Sequence, residues 1–292
     1  MKSYFIYKKN IKLVIGLFML AFIPLFLIIN QFPPKQVSGN TFNVISQNDL
    51  LNVSYGLHNM QKIDIYLPNV NLNSNKVVLF IHGGGWATGD KSDYSDWAKK
   101  IRDLGFITVS MNYRLAPNYT HPKQTEDIRT VINYLTNQAD KLSIHSPQFI
   151  LVGGSAGAHL ALLFAYNSSN NYDNKIKGVI SLAGPVVLTD KNFIPEMQTL
   201  IRDYIGAQTD KNNVLMEVAP INHVSSKSPP TLIIHGTEDV IVPYVHAAIL
   251  KNKLEANNIP VQLMTLPGVD HFFNEADIEA ILIEVYNFCR NI

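Results

Sequence analysis

The sequence predicts an α/β fold, with a mostly parallel sheet and helices on both of its faces. Two observations predict it. Short apolar runs rich in β-forming residues alternate along the chain with stretches whose apolar residues recur at helical spacing. Some of the runs, such as KVVLFIH at 76–82, are continuously apolar, which is typical of a strand buried on both faces. Sheets of this kind bind ligands beyond the carboxyl ends of their strands, so the loops there are the first places to look for function.

Three segments with distinct compositions come first in the chain. Residues 1–12 carry four lysines and are predicted to form a basic cytoplasmic tail, whereas 13–29, LVIGLFMLAFIPLFLII, carry no charge. As a helix this run spans about 25 Å, near the lower limit for crossing a bilayer. The lysine excess before it predicts a membrane anchor with the rest of the chain on the extracytoplasmic side. The alternative is a cleaved signal segment and a secreted or periplasmic protein, but no A-x-A cleavage site is present. Residues 30–45, with paired prolines, are predicted to be a linker.

Residues 46–292 are predicted to form one folded domain. Strand-like runs lie, in chain order, at 62–68, 76–82, 106–114, 148–154, 176–184, 230–236 and 261–268. The first alternates with period two and ends at Pro68, as an edge strand would. Helical patterns lie at 125–138, 156–166, 196–206, 245–258 and 275–291. The interval 185–228 has no clear strand, and we expect it to form a small cap over the strand ends that shapes a substrate pocket.

The strongest motif is GGSAG, placed where a strand is predicted to turn into a helix. It fits G-x-S-x-G in the strand–turn–helix context of a nucleophile elbow. Glycines two residues before and after Ser155 let the strand and the helix approach closely, and Ser155 is expected to have a strained backbone with Oγ above the sheet. The helix that begins at Ala156 points its unpaired N–H groups at the site, which favours developing negative charge.

A serine hydroxyl is a poor nucleophile at neutral pH without an adjacent base. Two later strands are followed by TEDVIVP, which supplies Glu238 and Asp239, and by VDHFF, which supplies Asp270 and His271. We assign His271 as the base and Asp239 as the acid that orients its imidazole. The shorter aspartate side chain suits this rigid, buried role better than that of Glu238.

The stretch HGGGW directly follows the second predicted strand. The tetrahedral intermediate of acyl transfer needs backbone N–H donors at about 3 Å, each worth about 3–4 kcal/mol of the barrier, and side chains would block that approach. We therefore expect Gly83, Gly84 and Gly85 to form an oxyanion hole together with the N–H of Ala156. Trp86 is a candidate for lining the substrate pocket.

The motifs DIYLP, HGGGW, NYRLAP, GGSAG, HGTEDVIVP and LPGVDHFF occur in this order over residues 46–292. In this respect the chain resembles α/β-hydrolases of the esterase/lipase group, near the feruloyl-esterase-like and hormone-sensitive-lipase-like carboxylesterases. The resemblance implies an eight-stranded α/β-hydrolase fold and the triad Ser155, Asp239 and His271. The hormone-sensitive-lipase-like group usually has an acidic residue just before the nucleophile. Gly154 stands there in this chain, which favours the feruloyl-esterase-like branch.

Composition excludes several other classes of function. The net charge is +1, with no basic footprint for nucleic acid, and Cys289 is the single cysteine, without a zinc-spaced Cys/His cluster. The leading hypothesis is a serine hydrolase that cleaves small carboxylic esters through an acyl-serine intermediate, with a small-molecule substrate and no metal or organic cofactor. Two alternatives stay open. One is an arylformamidase-type amidase, because HGGGW also resembles that family's H-G-G-x-W, and the other is a non-catalytic binding protein on a hydrolase fold.

Overall fold

The computed structural model describes residues 49–69, 75–167, 169, 172, 174–189, 191–206 and 211–292. The predicted tail 1–12, the apolar run 13–29 and the linker 30–45 lie outside these residues. Within the described part of the chain, no helix is both long enough and apolar enough to span a membrane.

Eight strands of the described chain form one sheet. They are β1 (Leu50–Ser54), β2 (Lys62–Tyr66), β3 (Lys76–Ile81), β4 (Ile107–Met111), β5 (Gln148–Gly154), β6 (Ile176–Leu182), β7 (Thr231–Gly236) and β8 (Val261–Leu266). Their order across the sheet is β1-β2-β4-β3-β5-β6-β7-β8. The pairs β1–β2 and β2–β4 are antiparallel and all other neighbours are parallel. This confirms the predicted mostly parallel, eight-stranded sheet.

The edge of the sheet differs from the prediction. The run at 62–68 is expected to be an edge strand, but it becomes β2, the second strand, because β1 pairs with its outer side. Four of the five residues of β1 are exposed and the fifth, Val53, is half-buried. A strand that buries so little carries no alternating apolar pattern, which is why the sequence gives no sign of it.

Helices cover both faces of the sheet. The α-helices in the described residues are α1 (Ser95–Asp103), α2 (Lys123–Asn137), α3 (Ala156–Tyr166), α4 (Pro195–Ile205), α5 (Lys211–Glu217), α6 (Val245–Ala256) and α7 (Glu275–Asn291). Buried side chains of α2, α3 and α6 belong to one apolar cluster, and those of α1 and α7 to the other. The sheet therefore lies between two helical layers, as predicted.

Strand β3 shows how the two clusters meet. Val77, Leu79 and Ile81 pack into the cluster beside α3, whereas the alternate residues Val78 and Phe80 pack into the cluster beside α7. All five side chains are completely buried. A strand apolar on both faces is thus held rigidly in the middle of the sheet, and the loop after it, which begins at His82, starts from a fixed position.

The interval 185–228 contains α4, α5 and a 3₁₀ turn at Pro220–His223. The pattern at 196–206 correctly predicts α4, which starts with Pro195 in its first turn and ends at Gly206, where φ is +71°. The buried side chains of α4 join the cluster beside α3. The helix is therefore packed against the body of the protein through its apolar side.

Candidate active site

Ser155 lies between β5 and α3 in a conformation that few non-glycine residues adopt, with φ +52° and ψ −121°. Such strain costs about 1–3 kcal/mol and persists only where the surroundings enforce it. Here the Ser155 N–H donates to the Leu182 carbonyl at 2.8 Å, and the Ser155 carbonyl accepts from the His159 N–H at 3.0 Å. The serine is half-buried at the carboxyl end of the central strand.

Two flanking glycines make this sharp turn possible. A Cβ on Gly153 would lie 2.3 Å from the carbonyl oxygen of Gly157, and a Cβ on Gly157 would lie 2.1 Å from that of Ile81. Both distances are far below contact, and both neighbours are backbone atoms. Helix α3 can therefore begin directly against β3 and β5 only because these positions carry no side chain.

The structure brings His271 and Asp239 together at the same sheet edge. The Nδ1 of His271 lies 2.7 Å from Oδ2 of Asp239, with only 8% of the histidine side chain exposed and none of the carboxylate side chain. Because Nδ1 faces a carboxylate, it carries the hydrogen and donates it. The other ring nitrogen, Nε2, is then left with a lone pair that can accept a proton.

The Asp239 carboxylate is surrounded by further donors. Its Oδ1 accepts from the N–H groups of Ile241 at 2.9 Å and Val242 at 2.8 Å, and Nε2 of His235 lies 3.2 Å from Oδ2. Burial by itself would raise the pKa of the Asp239 carboxyl. Hydrogen bonds from His235, His271 and Val242 outweigh it and hold the pKa well below the usual range, so the group is an anion at neutral pH.

The other two predicted carboxylates lie away from this pair. Glu238 is exposed, and its N–H donates to the Val269 carbonyl at 3.0 Å, which ties the loop after β7 to the loop after β8. Asp270 is also exposed and its carboxylate accepts from the Phe272 N–H at 2.7 Å. Neither competes with Asp239 for His271.

The glycine stretch after β3 lies against the serine. A Cβ on Gly83 would be 3.0 Å from the Gly154 carbonyl oxygen and 3.5 Å from Cβ of Ser155. Gly84 has φ +92°, and a Cβ there would lie 2.3 Å from the Thr88 carbonyl oxygen, so only glycine fits. The turn is closed by the Thr88 N–H, which donates to the Gly84 carbonyl at 3.0 Å.

Tyr113 fixes the direction of these peptides. Its hydroxyl lies 3.0 Å from the carbonyl oxygen of His82 and 3.1 Å from that of Gly83, and its ring stacks on His82 with centroids 4.2 Å apart. In a planar trans peptide the N–H points opposite to the C=O. The N–H groups of Gly83 and Gly84 therefore point away from Tyr113. The N–H of Ala156 begins α3, where no intrahelical acceptor exists.

Trp86 does not line a pocket, which corrects the prediction. Its side chain is completely buried, its Nε1 donates to Nδ1 of His159 at 3.2 Å, and its ring stacks on Tyr204 of α4 at 4.8 Å. His159 in turn donates from Nε2 to the Val218 carbonyl at 2.7 Å. We call Trp86, His159 and Tyr204 the aromatic joint, because they connect the glycine stretch, helix α3 and helix α4.

Leu200 of α4 also lies against the glycine stretch, and sequence reasoning missed it. A Cβ on Gly85 would lie 2.6 Å from its Cδ1. The helical pattern at 196–206 predicts helix α4 but not the segment against which it packs. Only the folded structure therefore identifies Leu200 as the residue that contacts Gly85. His235 is also missed as a partner of Asp239, because its position at a strand end is equally typical of a packing residue.

In the described part of the chain, no group of three or more His, Cys, Asp or Glu side chains is placed to hold a metal ion. The chemistry available here is that of a serine, a histidine–carboxylate pair and backbone N–H groups.

Comparison with known proteins identifies the family. Residues 63–254, about two thirds of the chain, match the family model described as BD-FAE. The chain belongs to the BD-FAE family. The matched region includes Ser155 and Asp239, and His271 lies beyond it.

Relatives of this BD-FAE protein include esterases and a formamidase. It is 27% identical over 262 residues to a probable carboxylic ester hydrolase, LipM, of Mycobacterium tuberculosis (strain ATCC 25618 / H37Rv), covering 80% of this chain and 61% of LipM. A kynurenine formamidase of Salmo salar is 24% identical over 76% of this chain and 74% of its own. The chain thus spans less than two thirds of the LipM sequence.

Among solved structures, esterase B from Lactobacillus Rhamnosis has a TM-score of 0.70 at 20% identity, covering 84% of this chain and 85% of that protein. At this identity the likeness establishes the fold alone. It agrees with the α/β-hydrolase architecture that the strand order and the Ser155 turn display.

Proposed function

We propose that this BD-FAE protein is a serine hydrolase that cleaves carboxylic esters of small molecules. One observation carries the proposal: the His271 imidazole donates at 2.7 Å to the buried Asp239 carboxylate, at the sheet edge where Ser155 has a strained conformation. Strands β5, β7 and β8 belong to the parallel part of the sheet, so their carboxyl ends meet at this edge. The activity in the name of LipM supports the same reaction class.

In the proposed acylation step, Ser155 Oγ attacks the ester carbonyl carbon while Nε2 of His271 removes the hydroxyl proton. The Asp239 anion holds the Nδ1–H tautomer and stabilises the imidazolium that forms. Negative charge develops on the former carbonyl oxygen, and N–H groups of Gly83, Gly84, Gly85 and Ala156 stabilise it. The bond to the alcohol oxygen then breaks, and His271 gives that oxygen its proton.

Deacylation repeats the same steps with water. His271 takes a proton from the water, the hydroxide attacks the acyl carbon, and the carboxylic acid leaves as Ser155 regains its proton from His271. Every proton transfer runs between His271 and an oxygen, so this reaction needs no metal or organic cofactor.

The test compares the native chain with Ser155→Ala on a panel of p-nitrophenyl esters of increasing acyl length. We expect kcat/KM to fall by at least about 10³-fold, because removing a triad member leaves only the binding and oxyanion contributions. Ser54→Ala is the matched control, since Ser54 is on the exposed strand β1. It should keep native activity. Full activity in Ser155→Ala would refute the assignment.

The two alternatives are tested in the same preparations. An aryl formamide that is turned over at a higher kcat/KM than the matching aryl acetate would favour the formamidase-type activity. A fluorophosphonate probe that fails to label Ser155 in folded protein would favour a non-catalytic binding protein. We expect labelling at Ser155 and preference for the ester.

We also propose that residues 13–29 anchor the protein in a membrane with the catalytic domain on the extracytoplasmic side. The support is the uncharged apolar run and the lysines before it. The competing hypothesis is that residues 13–29 are a cleaved signal segment, in which case the protein would be released in a secreted or periplasmic form.

A further inference from the structure

His235, near the end of β7, is a buried histidine beside the proposed catalytic acid. It is 1% exposed, and its Nε2 lies 2.8 Å from the Val242 carbonyl oxygen and 3.2 Å from Oδ2 of Asp239. Its Nδ1 is buried without a hydrogen-bond partner among the described residues. A second histidine therefore faces the same carboxylate oxygen that accepts from His271.

The contacts of the ring decide where its hydrogen lies. Nε2 has two oxygen acceptors, whereas a hydrogen on Nδ1 would be buried without an acceptor, which is unfavourable. The hydrogen therefore lies on Nε2. It is donated to the Val242 carbonyl, and Oδ2 of Asp239 lies 3.2 Å from the same nitrogen.

We propose that His235 is a positioning residue for the reaction, acting on His271 through the Asp239 carboxylate. The inference rests on the proposed serine hydrolase function. His235 acts by two routes. Directly, its Nε2–H lies against Oδ2 of Asp239. Indirectly, it holds the carbonyl of Val242, and the N–H of Val242 donates to Oδ1 at 2.8 Å.

The electrostatic consequence concerns the basicity of His271. A donor at Oδ2 draws negative charge away from the oxygen that His271 contacts. This weakens the preference of that carboxylate for an imidazolium over an imidazole. Without the donor, Asp239 would attract the imidazolium more strongly, and His271 would become more basic.

The other titratable groups near the pair make their hydrogen bonds to residues other than His235. The ring of Tyr244 packs edge-on against His235 with centroids 5.8 Å apart, and its hydroxyl bonds Oγ1 of Thr265 at 2.6 Å. Glu238 and Asp270 on the two adjoining loops are exposed. A change in pH profile on replacing His235 is therefore assigned to the Asp239–His271 pair.

The experiment compares His235→Phe, which keeps an aromatic ring but has no N–H, with His235→Gln, whose amide N–H can replace Nε2–H. We expect His235→Phe to lower kcat/KM for p-nitrophenyl acetate about tenfold. The acid limb of its pH profile should move up by about half a pH unit, since the change acts on His271. In His235→Gln, kcat/KM should lie within about threefold of the native value. The acid limb of its pH profile should lie within about 0.2 pH unit of the native position.

A double-mutant cycle separates this role from general support of the fold. In the Asp239→Asn background, His235→Phe should change kcat/KM by less than about twofold, because its route to His271 is already lost. A tenfold loss in both backgrounds would overturn the proposal. So would a folded His235→Phe with the native pH profile.

A measurement on the native chain covers the case in which His235→Phe does not fold. Nitrogen-detected NMR of ¹⁵N-histidine protein should show the His235 hydrogen on Nε2, and a hydrogen on Nδ1 would overturn the proposal. Fluorophosphonate labelling of Ser155 in the same sample distinguishes the two failures. If Ser155 is not labelled, the result counts against the serine hydrolase function. If Ser155 is labelled but the His235 hydrogen lies on Nδ1, the result counts against the positioning role of His235 alone.

Discussion

At the scale of single residues, the site depends on positions where a side chain is forbidden as much as on those where one is required. Ser155 keeps its unusual conformation because β5, α3 and β3 meet without a Cβ at Gly153 or Gly157. Asp239 keeps its charge because three hydrogen-bond donors, together with His235 Nε2 at 3.2 Å, surround its two oxygens. The Ser155 conformation is strained by about 1–3 kcal/mol and persists because the surrounding structure enforces it.

Gly157→Ala tests the close approach of α3 to β3. The new Cβ would be 2.1 Å from the Ile81 carbonyl oxygen and 2.5 Å from that of His82, so helix and strand must separate. We expect the free energy of unfolding to fall by about 3 kcal/mol in urea titrations, with loss of activity. Ala161→Gly, at a completely buried position of the same helix, is the control and should cost about 1–2 kcal/mol through helix propensity and the loss of one buried methyl group. A Gly157→Ala protein as stable as Ala161→Gly would contradict the close-packed elbow.

At the scale of elements, the aromatic joint links three segments distant in sequence. Trp86 belongs to the glycine stretch, His159 to α3 and Tyr204 to α4, and His159 also holds the Val218 carbonyl beyond α5. Burial lowers the pKa of His159 to about 3, so the ring is neutral in the folded protein. The joint therefore couples the position of the proposed oxyanion hole to that of α4.

The pH dependence of stability tests this neutral histidine. In the unfolded chain His159 has an ordinary pKa near 6.5 and takes up a proton below it, whereas the folded state takes one up only near pH 3. Unfolding is therefore favoured by about 1.4 kcal/mol for each pH unit that the pH falls within this window. His82 and His121 also have lowered pKa values through burial, so they add to the native slope.

His159→Gln isolates the contribution of His159. We expect urea unfolding between pH 6.5 and 4.5 to show a shallower loss of stability in this variant than in the native chain. Asp239 does not interfere, because its stabilisation is complete above its unfolded pKa of about 3.9 and is lost only below that value. Parallel pH profiles for the two proteins would show that His159 is not held neutral.

Elements also show where sequence reasoning succeeds and fails. Helix α3 is predicted to the residue because GGSAG fixes its start, and α7 begins where Asn274 accepts from the N–H groups of Ala276 and Asp277. Strand β1 is missed because it is almost wholly exposed. The burial of Trp86 depends on Tyr204 from a later helix, and no local pattern contains that information.

The same limit applies to the site. Positions just after the carboxyl ends of parallel strands predict which residues meet, as with Asp239 and His271. The partnership of His235 with Asp239 depends on how the turn after β7 brings the carboxylate back toward the strand. The sequence gives the number of residues between His235 and Asp239 but not the path of the turn that joins them. Only the folded structure therefore reveals their contact.

At the scale of the whole molecule, the candidate site is assembled from loops after β3, β5, β7 and β8, and the sheet fixes their relative positions. Both faces of that sheet must be covered for this to hold. Helix α7 helps to cover one face, and Lys76 at the start of β3 donates from Nζ to the carbonyls of Cys289 and Ile292 at its end. The start of β3 is thus tied to the end of α7, which helps to hold the sheet as one support for the loops.

None of the residues assigned to the site lies before residue 46, so we expect the proposed membrane attachment and the proposed catalysis to be separable. We expect the full chain to stay in the membrane pellet after a high-pH carbonate wash, and added protease to digest its catalytic domain in intact cells. A chain starting at residue 46 should be recovered without detergent and keep kcat/KM for p-nitrophenyl acetate within about twofold, since a water-soluble substrate does not use the anchor.

Leu20→Arg in the full chain is the point-mutant control, because a central arginine costs about 2.5–3.5 kcal/mol of insertion and should weaken retention. A full chain released by the wash with residues 1–12 still attached would refute the anchor, and a released chain lacking 13–29 would establish the cleaved signal segment instead.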